Sequence, residues 1–288
     1  PENHRCIRKQ KRRSRKNGRT ARFFYFSFFI YRGIIYSMKG AESIFVDKNS
    51  DIGVLMLHGF SSTPAQYKDL CAFLSKNGIN ASAPLIAGHG TCPDDLIKTC
   101  PEDWEKSAKD AYLKLKKISK KVFIIGNSFG SNLALWLAKE FNNEQAGIIT
   151  LGAPIFMRFH YFTLFRLYTY GLIKKYYSKP TRIYEADYID MNDEVTYPVI
   201  PAKSLREFFG FIKSETIPSL GKIKLPALIC HSAKDKVAHP KSAAFIYEHI
   251  QSPFKKIYFF PSDAHTIMSG EQKTDLFQRI LEFIKEKK

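Results

Sequence analysis

The segment that most restricts the fold is Lys121 to Glu140, KVFIIGNSFGSNLALWLAKE. A short, β-branched apolar run meets Gly126-Asn127-Ser128-Phe129-Gly130, and a stretch of good helix formers follows with no linker between them. Strand, sharp turn and helix are therefore expected in immediate succession. The glycines on either side of Ser128 remove side chains that would collide with neighbouring backbone in such a turn.

The rest of the chain repeats this rhythm. Strands are predicted at Gly53 to Leu57, Ile79 to Ala83, Val122 to Ile125, Ile148 to Leu151, Ala227 to His231 and Ile257 to Phe260. Helices are predicted at Pro64 to Lys76, with Thr63 as N-cap, and at Pro101 to Ile118, Ser128 to Glu140, Pro240 to Ile250 and Glu271 to Lys287. Alternation of this kind is the pattern of an α/β fold, with a mostly parallel central sheet flanked by helices. Residues 155 to 220 break it: fifteen Phe or Tyr fall there, punctuated by Pro180, Pro198, Pro201 and Pro218. An insertion between two sheet strands is expected, placed at the carboxyl ends of the strands as a small helical cap or lid.

A net charge of +18 points first to nucleic acid or an anionic surface as partner. Its distribution argues against nucleic acid. Residues 1 to 38 hold eleven Lys or Arg against one acidic residue, Glu2, whereas the remaining Lys residues are interleaved with Glu and Asp like a solvated surface. The basic run Arg5 to Arg22 precedes FFYFSFFIY, but the apolar stretch stops at Arg32, short of the roughly 20 residues that span a bilayer. Met38 directly precedes a segment that reads as the start of a compact domain. Residues 1–37 are thus expected to be translated upstream sequence or a poorly ordered extension, and residues 38–288 the folded domain. A membrane anchor and a basic targeting tail are the readings held beside it, and membrane contact is expected only through this extension. Cys6, Cys71, Cys92, Cys100 and Cys230 are odd in number and lack the short paired spacings of a zinc site. Free thiols and a cytoplasmic location are expected.

A serine on a strained turn at a helix N-terminus has the placement of a nucleophile, and it needs a base and an orienting acid. His265, in PSDAHTIM after the last predicted strand, is the candidate base; His231, His239 and His249 fit less well. Asp235, in SAKDKVAHP, is the candidate acid, with Asp263 as its rival. Backbone donors for a developing oxyanion are expected from Phe129, directly after the serine, and from Phe60 in the His58-Gly59-Phe60 turn. His58 itself is expected to be a structural loop residue.

Taken in order, LMLHGFSSTP, the Gly88-His89-Gly90 loop, CPEDWEKSAKDAY, GNSFG, TLGAP, SAKDKVAHP and the His265 segment resemble the α/β-hydrolase superfamily. Within it they resemble the small bacterial carboxylesterases and monoacylglycerol lipases. The resemblance implies an α/β-hydrolase fold, Ser128, Asp235 and His265 as a triad, Phe60 and Phe129 as oxyanion donors, and a cap over about 155–220. Asn127, Phe129 and the SDAH turn depart from the common pattern and bear on the shape of the acyl pocket. The implied activity is hydrolysis of short- to medium-chain carboxylic esters through an acyl-enzyme, with no cofactor and a small-molecule ester as substrate. Monoacylglycerol lipase or lysophospholipase activity is the alternative within the class, and a non-catalytic binding protein on the same scaffold the alternative outside it.

Overall fold

The apolar runs assemble into one seven-stranded sheet. In the computed structural model, which describes residues 38–169, 171, 173–179 and 196–287, the strands are β1 (Ile44–Val46), β2 (Ile52–Leu57), β3 (Asn80–Ala83), β4 (Lys121–Asn127), β5 (Gly147–Leu151), β8 (Ala227–Ser232) and β9 (Lys255–Phe260). Their order is β1-β3-β2-β4-β5-β8-β9; β1 runs antiparallel to β3 and every other pair is parallel. The expectations for residues 1–37, Cys6 and Pro180 lie outside the described residues.

Parallel strands covered on both faces read as continuous apolar runs, and β2, β4, β5 and β8 are buried along nearly their whole length. One face is covered by α1 (Lys68–Lys76) and α9 (Lys273–Lys287), which bury Leu70, Leu74, Leu276, Ile280 and Ile284 against Met56, Ile125 and Ile149. The other is covered by α3 (Pro101–Lys116), α4 (Phe129–Glu140) and α8 (Lys241–His249), with Trp104, Leu133, Leu137 and Ile246 packed over Leu55, Ile124 and Ile148. Cys71 and Cys230 sit in the first of these layers as free thiols, and burial pushes both up to about 12.

Three local departures from the sequence-based reading have physical causes. The helix expected from Pro64 opens as a 3₁₀ turn over Pro64–Tyr67, and Thr63 makes no side-chain cap: the Gln66 N–H that its hydroxyl would take is engaged by the Thr63 carbonyl. β1 and the short helix α2 (Pro93–Lys98) were not anticipated, being three and six residues long. Pro218, read as punctuation, falls inside a continuous helical run made of α6 (Ala202–Phe211), a π turn (Ile212–Thr216) and α7 (Ile217–Leu220). The wider π turn accommodates a ring that would clash with a regular helix's carbonyl one turn back.

The chain between β5 and β8 holds α5 (His160–Tyr168), the two-stranded antiparallel ladder of β6 (Tyr176–Ser178) and β7 (Val199–Pro201), and α6. Two parts of it are bonded to different loops of the body. At its start, Met157 bridges Ala238, Arg158 N–H donates to the Val237 carbonyl and His239 N–H to that of Phe156. Just before β7, Tyr197 N–H donates to the Ser61 carbonyl.

Candidate active site

The site is built where β2, β4, β8 and β9 end. The backbone must turn abruptly from β4 into α4, and Ser128 takes up the strain, with φ +51° and ψ −121°. A Cβ on Gly126 would run into the Gly130 carbonyl, and one on Gly130 into that of Leu57, so neither position tolerates a side chain. The Ser128 hydroxyl is thereby held at the N-terminus of α4, where helix N–H groups and dipole favour negative charge.

Asp235 lies in the loop after β8, and His265 in the loop after β9, the neighbouring strand. The two loops are joined by Ala233 N–H to the Phe260 carbonyl and Lys234 N–H to that of Ser262. Gly152, at φ +58°, lets the histidine loop approach β5: a Cβ there would come within 3.1 Å of the His265 carbonyl. Across this arrangement His265 Nε2 is 2.8 Å from Ser128 Oγ, and His265 Nδ1 is 2.8 Å from Asp235 Oδ2. An ionised carboxylate only accepts, so Nδ1 carries the proton and Nε2 presents its lone pair to the serine hydroxyl.

Asp235 is fully buried, yet its carboxyl is held well below the usual carboxylate range. Burial alone pushes it up; the His265 imidazole and hydrogen bonds from His231 and His265 more than offset that. Its other oxygen, Oδ1, accepts from the Val237 and Ala238 N–H groups at 2.7 and 3.0 Å. The rival Asp263 is instead exposed and paired with Lys236. His231 is a contributor that the sequence reading set aside: fully buried, it places Nε2 3.4 Å from Asp235 Oδ2. Arg158 is another, donating from Nε to the Asp235 carbonyl at 2.9 Å. Neither carries a local motif that would have marked it.

The turn after β2 lies beside the serine, for a Cβ on Gly59 would sit 3.4 Å from Ser128 Cβ. The Phe60 and Phe129 N–H groups have no protein acceptor among the described residues. His58 fixes the turn from within: its Nδ1–H donates to the Gly59 carbonyl and its Nε2 accepts Ile86 N–H, both at 3.0 Å. Burial, with His89 beside it, pulls His58 down to about 3, so the ring is neutral and suited to this donor and acceptor pair. The rings of Phe60, Trp104, Phe129 and Phe208 form an apolar cluster with centroids 5.2 to 5.6 Å apart.

A parallel sheet that gathers an elbow serine, a histidine and a buried carboxylate at its carboxyl edge defines an α/β hydrolase. Residues 48–273 match the family described as serine aminopeptidase, S33, and the chain belongs to that family of enzymes. It is 28% identical over 250 residues to a thermostable monoacylglycerol lipase of Bacillus sp. (strain H-257), covering 85% of this chain and 95% of the relative. It is 26% identical to a carboxylesterase of Bacillus subtilis (strain 168), covering 83% and 95%. A solved structure from work on the metagenome-derived lipolytic enzymes LipS and LipT superposes with a TM-score of 0.78 at 25% identity, over 87% of this chain and all of that one. Among the described residues no helix is long and apolar enough to cross a membrane.

Proposed function

We propose that the chain is a serine carboxylesterase in which Ser128 is the nucleophile, His265 the general base and acid, and Asp235 the group that orients and charges-balances the imidazole. The observation that carries this reading is the unbroken hydrogen-bonded chain from Ser128 Oγ through His265 to Asp235 at a strained elbow. Ser128 Oγ attacks the ester carbonyl carbon as its proton passes to His265 Nε2. The tetrahedral oxyanion takes hydrogen bonds from the Phe60 and Phe129 N–H groups. Collapse breaks the bond to the alcohol oxygen, which leaves with the proton from Nε2. Water then repeats the sequence on the acyl-enzyme, releasing the acid and restoring Ser128. Esters with short to medium acyl chains are the proposed substrates, a reading supported by the partly exposed Phe60 ring on the turn beside Ser128, since each buried methylene contributes about 0.8 kcal/mol. The names of the two Bacillus relatives support an ester, with a monoacylglycerol as one candidate substrate.

Fluorophosphonate labelling with peptide mapping, beside turnover of p-nitrophenyl esters from acetate to laurate, tests the proposal. The expected result is one adduct, on Ser128, turnover that peaks above acetate, and loss of both in Ser128→Ala. Labelling elsewhere, or turnover that survives the substitution, refutes it.

A further inference from the structure

The Gly88-His89-Gly90 motif and the residues at the inner ends of the β6–β7 ladder are not used by the chemistry above, yet they converge on the turn that carries Phe60. Ser61 directly follows Phe60 and holds a left-handed backbone, φ +61°, a conformation that a non-glycine residue keeps only where its surroundings impose it. The turn itself is closed by Ser62 N–H on the Gly59 carbonyl at 3.1 Å, with Ser61 at the position that takes a positive φ, and groups from the insertion then hold it from outside. The Ser61 carbonyl accepts from both Tyr197 N–H and Thr196 Oγ1, each at 2.9 Å. Lys179, from the other arm of the β6–β7 ladder, donates to Thr196 Oγ1 at 2.7 Å, which commits that hydroxyl's own proton to Ser61.

Tyr197 extends the clamp to a second loop. Its buried phenol accepts Thr91 N–H and donates to the Gly88 carbonyl, both at 3.0 Å. Gly88 and Gly90, at φ +78° and +70°, shape a loop that presents His89 between them. That ring stacks on Tyr197 with the planes 6° apart, and meets the edges of Phe60 and His58 at centroid distances of 5.8 and 5.0 Å. Phe60 is thus held from two sides, through Ser61 by the insertion and through its ring by His89.

We infer that Thr196 and Tyr197 are positioning residues for the oxyanion: the insertion sets the direction of the Phe60 N–H. The inference rests on Phe60 being an oxyanion donor. Because that donor counts only when negative charge has developed, a loosened clamp should lower the rate of the chemical step and leave substrate binding nearly untouched. Loss of a whole oxyanion donor costs on the order of a hundredfold, and misaiming one is expected to cost on the order of tenfold.

The experiment compares Thr196→Val, Thr196→Ser and Tyr197→Phe in the full chain. Thr196→Val is nearly isosteric but cannot donate; Thr196→Ser retains the hydroxyl. Steady-state turnover of p-nitrophenyl butyrate is normalised to fluorophosphonate-titrated sites, and an alkyl boronic acid, which forms a tetrahedral anionic adduct on the serine, is measured as inhibitor. Expected are a kcat lowered about tenfold in Thr196→Val and Tyr197→Phe, KM within about twofold, boronate affinity weakened in proportion to kcat, and near-wild-type values in Thr196→Ser. Unchanged kcat and boronate affinity in both variants, or a loss confined to KM or to the fraction of active sites, overturns the inference. Should Tyr197→Phe not fold, Thr196→Val against Thr196→Ser decides alone. A failure of the underlying reading is separate and visible in the wild type, as absence of Ser128 labelling and of boronate inhibition.

Discussion

At the scale of single residues, Asp235 has the most constrained surroundings in the site. Its Oδ1 is occupied by the Val237 and Ala238 N–H groups, which leaves Oδ2 to face both His265 and His231. In Asp235→Asn the amide oxygen would keep the two backbone donors, and its NH₂ would then point at His265 Nδ1. A donor there demands the opposite tautomer, with the proton on Nε2, where it can no longer accept from Ser128. The expected outcome is a kcat lowered on the order of 10⁴-fold with the fold retained. Measurement of kcat alongside circular dichroism checks this; a loss below tenfold in a folded variant would show that Asp235 does not set the tautomer. His231, aimed at the same oxygen, has no counterpart in sequence logic, because nothing local distinguishes it from other strand-end histidines.

At the scale of elements, how well the sequence could be read follows burial. β2, β4, β5 and β8 were legible because sheet strands covered on both faces are apolar throughout, and the elbow because glycines must stand where Gly126 and Gly130 stand. The insertion was legible only as an interruption. α5 buries Leu167 on one side and leaves Tyr161, Phe162, Phe165 and Tyr168 exposed on the other, so apolar residues on both faces erase the helical period. Thr196 and Tyr197 act through a main-chain N–H and hydroxyls that belong to no motif. The elbow itself yields a prediction at this scale. In Gly130→Ala the new methyl would collide with the Leu57 carbonyl, backbone that cannot rotate away, so α4 must shift off β2. A loss of more than about 4 kcal/mol, or failure to accumulate as soluble protein, is expected from urea unfolding of the variant. Gly210 and Gly221, where an added Cβ meets nothing within 4 Å, serve as controls that stay close to wild type.

At the scale of the whole molecule, buried titratable groups far apart in sequence act on one equilibrium. His58 and His89 have folded-state values pulled by burial from 6.5 to about 3 and about 4. Below pH 6.5 the unfolded chain therefore binds protons that the folded chain refuses, and stability falls as acid is added, by up to about 1.4 kcal/mol per pH unit per histidine. Asp235, depressed below its ordinary 3.8, works in the same direction but only below about pH 4. Glu105 opposes them. Burial, then the nearby Glu215 and Glu102, raises it from 4.5 to about 7, so the folded chain keeps a proton that the unfolded chain has lost, and stability falls as pH rises from 4.5 to 7. Glu105 is only partly buried, so solvent screening leaves its contribution smaller than that of the two enclosed rings. The residues after 38, with 34 Lys or Arg against 26 Asp or Glu, also resist further protonation in the compact state, which adds to the histidine effect. The unfolding free energy in urea is expected to drop by about 1 to 2 kcal/mol between pH 7 and pH 5.5. Glu105→Gln should steepen the drop by removing the opposing group, and His89→Asn should flatten it whatever that substitution does to stability at pH 7. A stability that is flat or rises on acidification in Glu105→Gln, where the opposing group is gone, would mean that the two rings take up protons in the folded state, and with them that the Phe60 turn opens to water.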